Sequence, residues 1–318
     1  MATITGIPQV DLSQFVKGDA SQQAAFVEAL GKAFTEIGFV GVVNHGIPKE
    51  LIKKFFEESE RFFAQDLETK DKYEVKNGAG QRGYCSFGRE HAKQSNVGDL
   101  KEFYQFGQEL PEGHELKDVY MDNIYTDELP EFNKTARELY QAFEASGAHL
   151  LEAIAIFLGL DRNYFNPHIE GGNSILRAIH YPPITEEPKS AIRSEEHEDI
   201  NLITLLVGAS ADGLQVRPLG QDWIDVKALG DGIVINVGDM LQRLTNNKLK
   251  STTHRVVNPP RELWHTSRIS IPFFLHPRSD MDLTCLEDCV TEETPLQYEP
   301  ITAGEYLDER LREIGLKK

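Results

Sequence analysis

From residue 172 onward the chain is a succession of short β-forming runs, and this limits its fold more than any other feature. The runs cover 174–181, 200–207, 213–217, 223–226, 232–237, 241–244, 252–257 and 267–275, with Pro, Gly, Asp and Asn between them. Short strands about 8–12 residues apart, separated by turn formers, predict a sandwich or jelly roll. Upstream, Leu139, Tyr140, Phe143, Leu150, Leu151, Ile154 and Phe157 recur at helical spacing. They predict the inner face of a long helix over Pro130 to Leu158, the support on which the sheet rests. The expected fold class is therefore α+β, a jelly-roll core flanked by α-helices.

The N-terminal third is mixed. Residues 7–15 alternate apolar and polar before Lys17-Gly18 and read as a short strand and turn. Ala25, Phe26, Ala29, Leu30, Ala33, Phe34 and Ile37 predict a helix from Ser21 to Ile37, stopped by Gly38. Phe39–Val43 reads as a buried strand, and Pro48 as the opening of a helix striped by Leu51, Ile52, Phe55 and Phe56. Residues 77–98 are rich in Gly, Ser and Asn and carry Arg82-Gly83-Tyr84 and Arg89-Glu90-His91. A loop of that length inside a compact domain is usually functional. The last forty residues are acidic and then helical, from Ala303 to Ile314.

Charge narrows the partners. Lys and Arg number 33 against 51 Asp and Glu, a net of −18. Such a surface disfavours nucleic acid or an anionic membrane as the main partner, since both need basic surface. A small-molecule substrate is expected, and no protein partner is implied. Cys85, Cys285 and Cys289 cannot complete a disulfide set, and low usage suits a reducing cytosol. With no second cysteine pair beside Cys285 and Cys289, a zinc site is not expected. There is no apolar run of about 18 residues and no signal pattern at the N-terminus, so the expected location is cytoplasmic.

The chemistry concentrates in His197-Glu198-Asp199. On a strand, His197 and Asp199 leave the same face while Glu198 points the other way. His254 arrives downstream in Lys250-Ser-Thr-Thr-His254-Arg-Val. Two imidazoles and a carboxylate on one side of a metal leave the other side open, the pattern of non-heme Fe(II) oxygenases. The His-Glu-x-x-His helix of many zinc hydrolases is absent. In the run from Ser267 to Phe274, Arg268 and Ser270 share a face. An arginine on an inner face is costly unless it meets an anion, and a guanidinium beside a hydroxyl suits a carboxylate. In the run from Ser174 to Tyr181, Arg177 and Tyr181 share a face, and Tyr181 can add a third hydrogen bond to that carboxylate. His180 then faces away, as a structural residue.

In order, Tyr181, His197-x-Asp199, His254 and Arg268-x-Ser270 resemble the 2-oxoglutarate/Fe(II)-dependent oxygenases, in the branch shared with isopenicillin N synthase and the plant flavonoid and gibberellin dioxygenases. Ile7-Pro-Gln-Val-Asp11 and the stretch from Gly38 to Pro48 are similar to that branch's N-terminal region. Asn236-Val-Gly-Asp-Met240, Leu244-Thr-Asn-Asn247 and His254-Arg-Val are similar to its core. The resemblance implies a double-stranded β-helix (jelly roll) core wrapped by helices, with Fe(II) held by His197, Asp199 and His254. It implies 2-oxoglutarate bound to the iron through its 1-carboxylate and keto oxygen, its far carboxylate on Arg268, Ser270 and Tyr181. O2 is then consumed, succinate and CO2 are released, and a substrate C–H bond is hydroxylated, desaturated or cyclised. The expected division is an N-terminal region over 1–120, a supporting helix and connection over 121–171, the core over 172–280 and a C-terminal extension over 281–318.

Other readings stand beside this one. The segments Arg193–Thr204 and Arg268–Phe274 are close to isopenicillin N synthase itself, which uses no 2-oxoglutarate. There the corresponding arginine, serine and tyrosine bind the substrate's carboxylate. A barrel without turnover and a metal-dependent hydrolase are the remaining classes. For the substrate, the loop with Arg82, Tyr84 and Phe87 is expected to line the mouth, with Arg177 and Phe274 looking inward. Arginines there suit an acid-bearing small molecule, an amino acid or a secondary metabolite.

Overall fold

The computed structural model describes residues 6–76, 78, 80–90, 98–188, 190–207, 212–227, 229–314 and 316–317. Its strands are β1 (Gln9–Asp11), β2 (Phe39–Val43), β3 (Gly83–Cys85), β4 (Glu102–Gly107), β5 (Ile175–Tyr181), β6 (Ser194–His197), β7 (Ile203–Val207), β8 (Leu214–Val216), β9 (Ile224–Asp225), β10 (Ile233–Val237), β11 (His254–Val256) and β12 (Arg268–Leu275). Its helices are α1 (Leu12–Val16), α2 (Ala20–Glu36), α3 (Lys49–Phe63), α4 (Leu67–Asp71), α5 (Pro130–Phe157), α6 (Asn166–Ile169), α7 (Asp239–Leu244) and α8 (Ala303–Glu313).

Among the described residues the strands form two sheets, one ordered β1-β2-β10-β7-β12-β5-β4-β3 and one ordered β6-β11-β8-β9. The period of two along each strand decides what each face meets. On β12, Ile269, Ile271 and Phe273 join Phe143, Leu150 and Ile154 of α5 in the main core. The alternate residues Arg268, Ser270, Pro272 and Phe274 line a cavity between the sheets. A smaller apolar cluster, including Phe39, Ile179, Leu214, Val216 and Val256, closes the space between the sheets. The site is thus built on the polar faces of strands whose apolar faces are fixed by the helical layer.

Seven of the eight predicted runs contain a strand; 241–244 does not. It lies in α7, whose Met240, Leu241 and Leu244 are buried and whose first residues donate to the carbonyls of Asp199 and Ile200. A four-residue apolar run carries no period that separates strand from helix. At the N-terminus only Gln9–Asp11 is extended, because the Asp11 carboxylate accepts from the Ser13 N–H at 2.9 Å and starts α1. Gly38 does end α2, at φ +77°, where a Cβ would lie 2.1 Å from the Lys250 carbonyl oxygen. Strand β4 is buried along its whole length although its sequence shows no alternation. The loop over 77–98 holds β3; His91 lies outside the described residues. No described helix is long and apolar enough to cross a membrane. All three cysteines are free and buried.

Candidate active site

His197, the last residue of β6, stands directly opposite His254, the first residue of β11. Their ring centroids are 4.4 Å apart. Asp199 is not on the strand but two residues beyond its end, and the Asp239 N–H holds its carbonyl at 2.7 Å. Its Oδ1 lies 3.9 Å from His197 Nε2 and 3.7 Å from His254 Nε2. One ligand atom from each residue falls within 4.8 Å of the others.

The surroundings prepare these atoms for a cation. His197 Nδ1 is 2.7 Å from the Glu195 carbonyl oxygen, and His254 Nδ1 is 3.1 Å from that of Thr252. A carbonyl only accepts, so each Nδ1 carries the proton and each Nε2 keeps its lone pair. Asp199 Oδ2 accepts from Thr204 Oγ1 at 2.6 Å and from Asn236 Nδ2 at 2.8 Å, which turns Oδ1 toward the imidazoles. Thr204 is itself held by Asn201 Nδ2 at 3.0 Å. Burial and the neighbouring His254 keep His197 below the usual imidazole range. Burial opposes ionisation of Asp199, but the two imidazoles and its two hydrogen bonds hold its carboxyl below the usual range. Three deprotonated donors, two nitrogen and one oxygen, therefore converge and fit Fe(II). Asn201, Thr204 and Asn236 escape a reading of periodicity, because nothing in the local sequence says which carboxylate they meet. Asn236→Ala is expected to weaken Fe(II) affinity about 10–100-fold, measured by titration of the apoprotein.

One end of the cavity, about 670 Å³ in volume, is electropositive. Arg268 faces Tyr181 across the β12–β5 ladder. Its guanidinium is 2% exposed, 5.0 Å from the Tyr181 ring centroid, and hydrogen-bonded to that side chain. Ser270 is buried on the same face. A second buried guanidinium, Arg193, sits 5.9 Å from the same ring and donates to the Thr266 carbonyl at 3.1 Å. Burial and Arg268 push Arg193 down to about 10. Two cations thus stand beside one phenol ring, Arg268 lining the cavity, and a guanidinium is a group that can pair with a carboxylate.

The other end holds Arg177 and Phe274, both lining the cavity. The Arg177 guanidinium lies 4.1 Å from the Phe103 ring centroid and 5.0 Å from that of Phe274. It donates to Gln105 Oε1 at 2.9 Å and pairs with Glu90 at 3.3 Å. Lys101 closes the group, 2.7 Å from both Glu90 and Asp99.

Among the described residues the loop meets the cavity through Gln81 and Glu90, and not through the three residues expected there. Arg82 is 1% exposed and sits behind the wall, donating to the Gln81 carbonyl at 2.7 Å and to Gln108 Oε1 at 2.8 Å. Tyr84 is in the core, its hydroxyl on Glu102. Phe87 is 51% exposed and off the cavity. The reason is geometric: β3 pairs with β4 at the edge of the sheet, and this pairing draws Tyr84 into the core instead of leaving the segment as a loop over the cavity. His180 faces away as expected, 2.8 Å from Glu102 Oε1 and stacked on Phe63.

Comparison with known proteins agrees with this geometry. Residues 7–128 match the N-terminal region described for the non-haem dioxygenase in morphine synthesis, and residues 172–277 match the 2OG-Fe(II) oxygenase superfamily. The chain is 31% identical over 309 residues to the 2-oxoglutarate-Fe(II) type oxidoreductase hxnY of Emericella nidulans, covering 94% of this chain and 87% of that one. It is 33% identical over 321 residues to the proline hydroxylase buaE of Petromyces alliaceus, covering 96% and 98%. Among solved structures, a 2OG-Fe(II) oxygenase family protein from Caulobacter crescentus superposes with a TM-score of 0.87 at 42% identity, over 98% of this chain and all of that one. A full-length Neurospora crassa protein in complex with alpha-KG and thymine superposes at 0.86 with 31% identity, over 98% of each chain. Relatives named for 2-oxoglutarate favour neither the synthase-like alternative nor a hydrolytic or inert barrel. The chain belongs to the 2-oxoglutarate/Fe(II)-dependent oxygenases, dioxygenases of the oxidoreductase class that use Fe(II), 2-oxoglutarate and O2.

Proposed function

We propose that His197, Asp199 and His254 hold the Fe(II), that Arg268, Ser270 and Tyr181 bind the far carboxylate of 2-oxoglutarate, and that Arg177 and Phe274 contact the substrate. The observation that carries this reading is the arrangement of one cavity: three convergent ligand atoms, with a buried cation at one end and a polar, aromatic group at the other. Fe(II), when bound, supplies the chemistry that joins O2 to 2-oxoglutarate oxidation, giving succinate and CO2 as a substrate C–H bond is oxidised. The chain's own residues do the rest. Glu195 and Thr252 fix the tautomer of the imidazoles through their carbonyls. Thr204 and Asn236 aim the carboxylate. Arg268 and Ser270, on the face of β12 that lines the cavity, would hold the cosubstrate's far carboxylate.

The substrate is a small molecule. A proline hydroxylase and a thymine-bound protein stand among the relatives. For this chain we read a compact molecule with an oxygen-bearing polar head, an amino-acid-like compound or a secondary metabolite, placed against Arg177 and Phe274. Three free cysteines suit a reducing compartment, so we place the protein in the cytoplasm.

The test loads the protein with Fe(II) anaerobically and follows O2 and succinate with and without 2-oxoglutarate. O2 uptake that requires 2-oxoglutarate and matches succinate is expected even before a substrate is identified. Uptake indifferent to 2-oxoglutarate would instead support the synthase-like use of Arg268. Arg177→Leu is expected to raise the KM of the substrate about 10–100-fold, as loss of a charged hydrogen bond does. The KM for 2-oxoglutarate should move less than about twofold, because the two ends of the cavity make separate contacts.

A further inference from the structure

Four buried side-chain atoms without a hydrogen-bond partner lie at, or behind the wall of, the corner of the cavity away from Arg268: Gln81 Oε1, Arg82 Nε, Gln108 Nε2 and His276 Nδ1. Arg82 ties the corner together, donating to the Gln81 carbonyl and to Gln108 Oε1. Gln81 and His276 reach the cavity itself. Buried polar groups in native proteins are nearly always satisfied, so a cluster of exceptions asks for a partner that is not part of the chain.

His276 is the most informative of the four. It continues the row of Arg268, Ser270, Pro272 and Phe274 that faces the cavity. Its backbone is clamped by Ser174, whose hydroxyl accepts from the His276 N–H at 3.1 Å and donates to its carbonyl at 3.2 Å. The backbone is therefore fixed and the residue is 6% exposed, while its Nδ1 is buried without a hydrogen-bond partner among the described residues. Burial, opposed by Asp199 and reinforced by Arg177 and Arg82, pushes the imidazole down to about 4, so it is neutral at working pH. A ring needed only as filler would be better replaced by an apolar side chain of similar volume.

The charges of the corner select what the ring meets. Arg177 is matched by Glu90, and Lys101 by Glu90 and Asp99. Arg82 makes its hydrogen bonds to amide and carbonyl oxygens, with Asp122 the carboxylate that acts on it among the described residues. The corner thus carries a positive potential that attracts oxygen acceptors and repels ammonium groups.

We propose that His276 is a specificity-determining residue, whose imidazole donates a hydrogen bond to an oxygen acceptor, carbonyl or carboxylate, on the substrate's polar head. This rests on the oxygenase reading above, with the substrate placed at the Arg177 end.

The experiment uses Fe(II)-loaded full-length protein and asks which probes stimulate succinate formation from 2-oxoglutarate. One arm holds neutral cyclic amides and imides (2-pyrrolidone, thymine), one holds acids (L-proline, pyroglutamate), and one holds cyclic amines without oxygen (pyrrolidine, piperidine). Stimulation is expected from the first or second arm, which tells carbonyl from carboxylate, and not from the third. In His276→Leu the half-saturating concentration of the stimulating probe should rise at least tenfold, while that of 2-oxoglutarate moves less than twofold. His276→Gln, which restores an N–H donor, should recover part of the loss. The same His276→Leu protein, without any probe, should melt at or above the wild-type temperature, because the buried Nδ1 it loses has no hydrogen-bond partner among the described residues. A melting temperature several degrees lower, with stimulation unaltered, would show a structural imidazole and overturn the proposal. Stimulation by the amines alone, or by no probe while wild-type protein still makes succinate, would overturn the assigned class. Wild-type protein that makes no 2-oxoglutarate-dependent succinate would instead overturn the oxygenase reading beneath it.

Discussion

Asp199→Ala is expected to abolish turnover, with succinate formation falling by more than about 100-fold, beyond the loss seen when a residue that only orients a ligand is removed. The substitution takes away the sole carboxylate of the metal-ligating group found among the described residues. It also leaves Thr204 Oγ1 and Asn236 Nδ2 facing a vacated position, since both donate to Oδ2. Iron bound per chain should fall together with activity, which separates this result from a defect in cosubstrate binding. Retained iron with lost succinate would mean that the metal is held elsewhere. A pH profile adds a second check. Imidazole binds a metal only when neutral, and His197 is held below the ordinary value of about 6.5 by burial and by His254. Iron loading should therefore persist below pH 6.5 and fade as acid protonates His197.

Arg268→Ala is expected to raise the half-saturating concentration of 2-oxoglutarate by about 30-fold to several thousand-fold. Truncating one partner of a buried, hydrogen-bonded charge pair costs about 2–5 kcal/mol, and each 1.4 kcal/mol is about tenfold. Arg268→Lys should fall between, because an ammonium keeps the charge but loses the planar two-point fork. The measurement is a 2-oxoglutarate titration followed by succinate at saturating Fe(II). An unchanged half-saturation would move the carboxylate seat away from Arg268, with Arg193 as the adjacent candidate, since both guanidiniums lie beside the Tyr181 ring. Iron content should stay at the wild-type level, so the two variants report on the two ends of one ligand.

The parts of the site readable from the chain alone are those where residue type and spacing agree. Arg268 and Ser270 are two apart on a strand, and the pleat alone puts them on one face. Tyr181 meets Arg268 because β5 and β12 pair in the register that sets them opposite. The failures have equally local causes. The loop with Arg82, Tyr84 and Phe87 reads as a mouth because it is long and aperiodic, yet β3 runs through it and draws Tyr84 into the core. Strand β6 is invisible as Ser-Glu-Glu-His, a polar stretch made a strand by pairing with β11 rather than by its own propensity.

By itself the sequence determined which side chains could ligate iron and that short strands would carry them on a helical support, and it named the cation we propose for the carboxylate. These follow from residue type and from periods of two and 3.6, which are local properties of the chain. Only the tertiary structure decided that His197 stands opposite His254, that Thr204 and Asn236 aim the Asp199 carboxylate, and that His276, its Nδ1 without a hydrogen-bond partner among the described residues, lines the far end of the cavity. Those facts depend on register and burial between segments far apart in the chain, where long-range packing and not local preference sets the free energy.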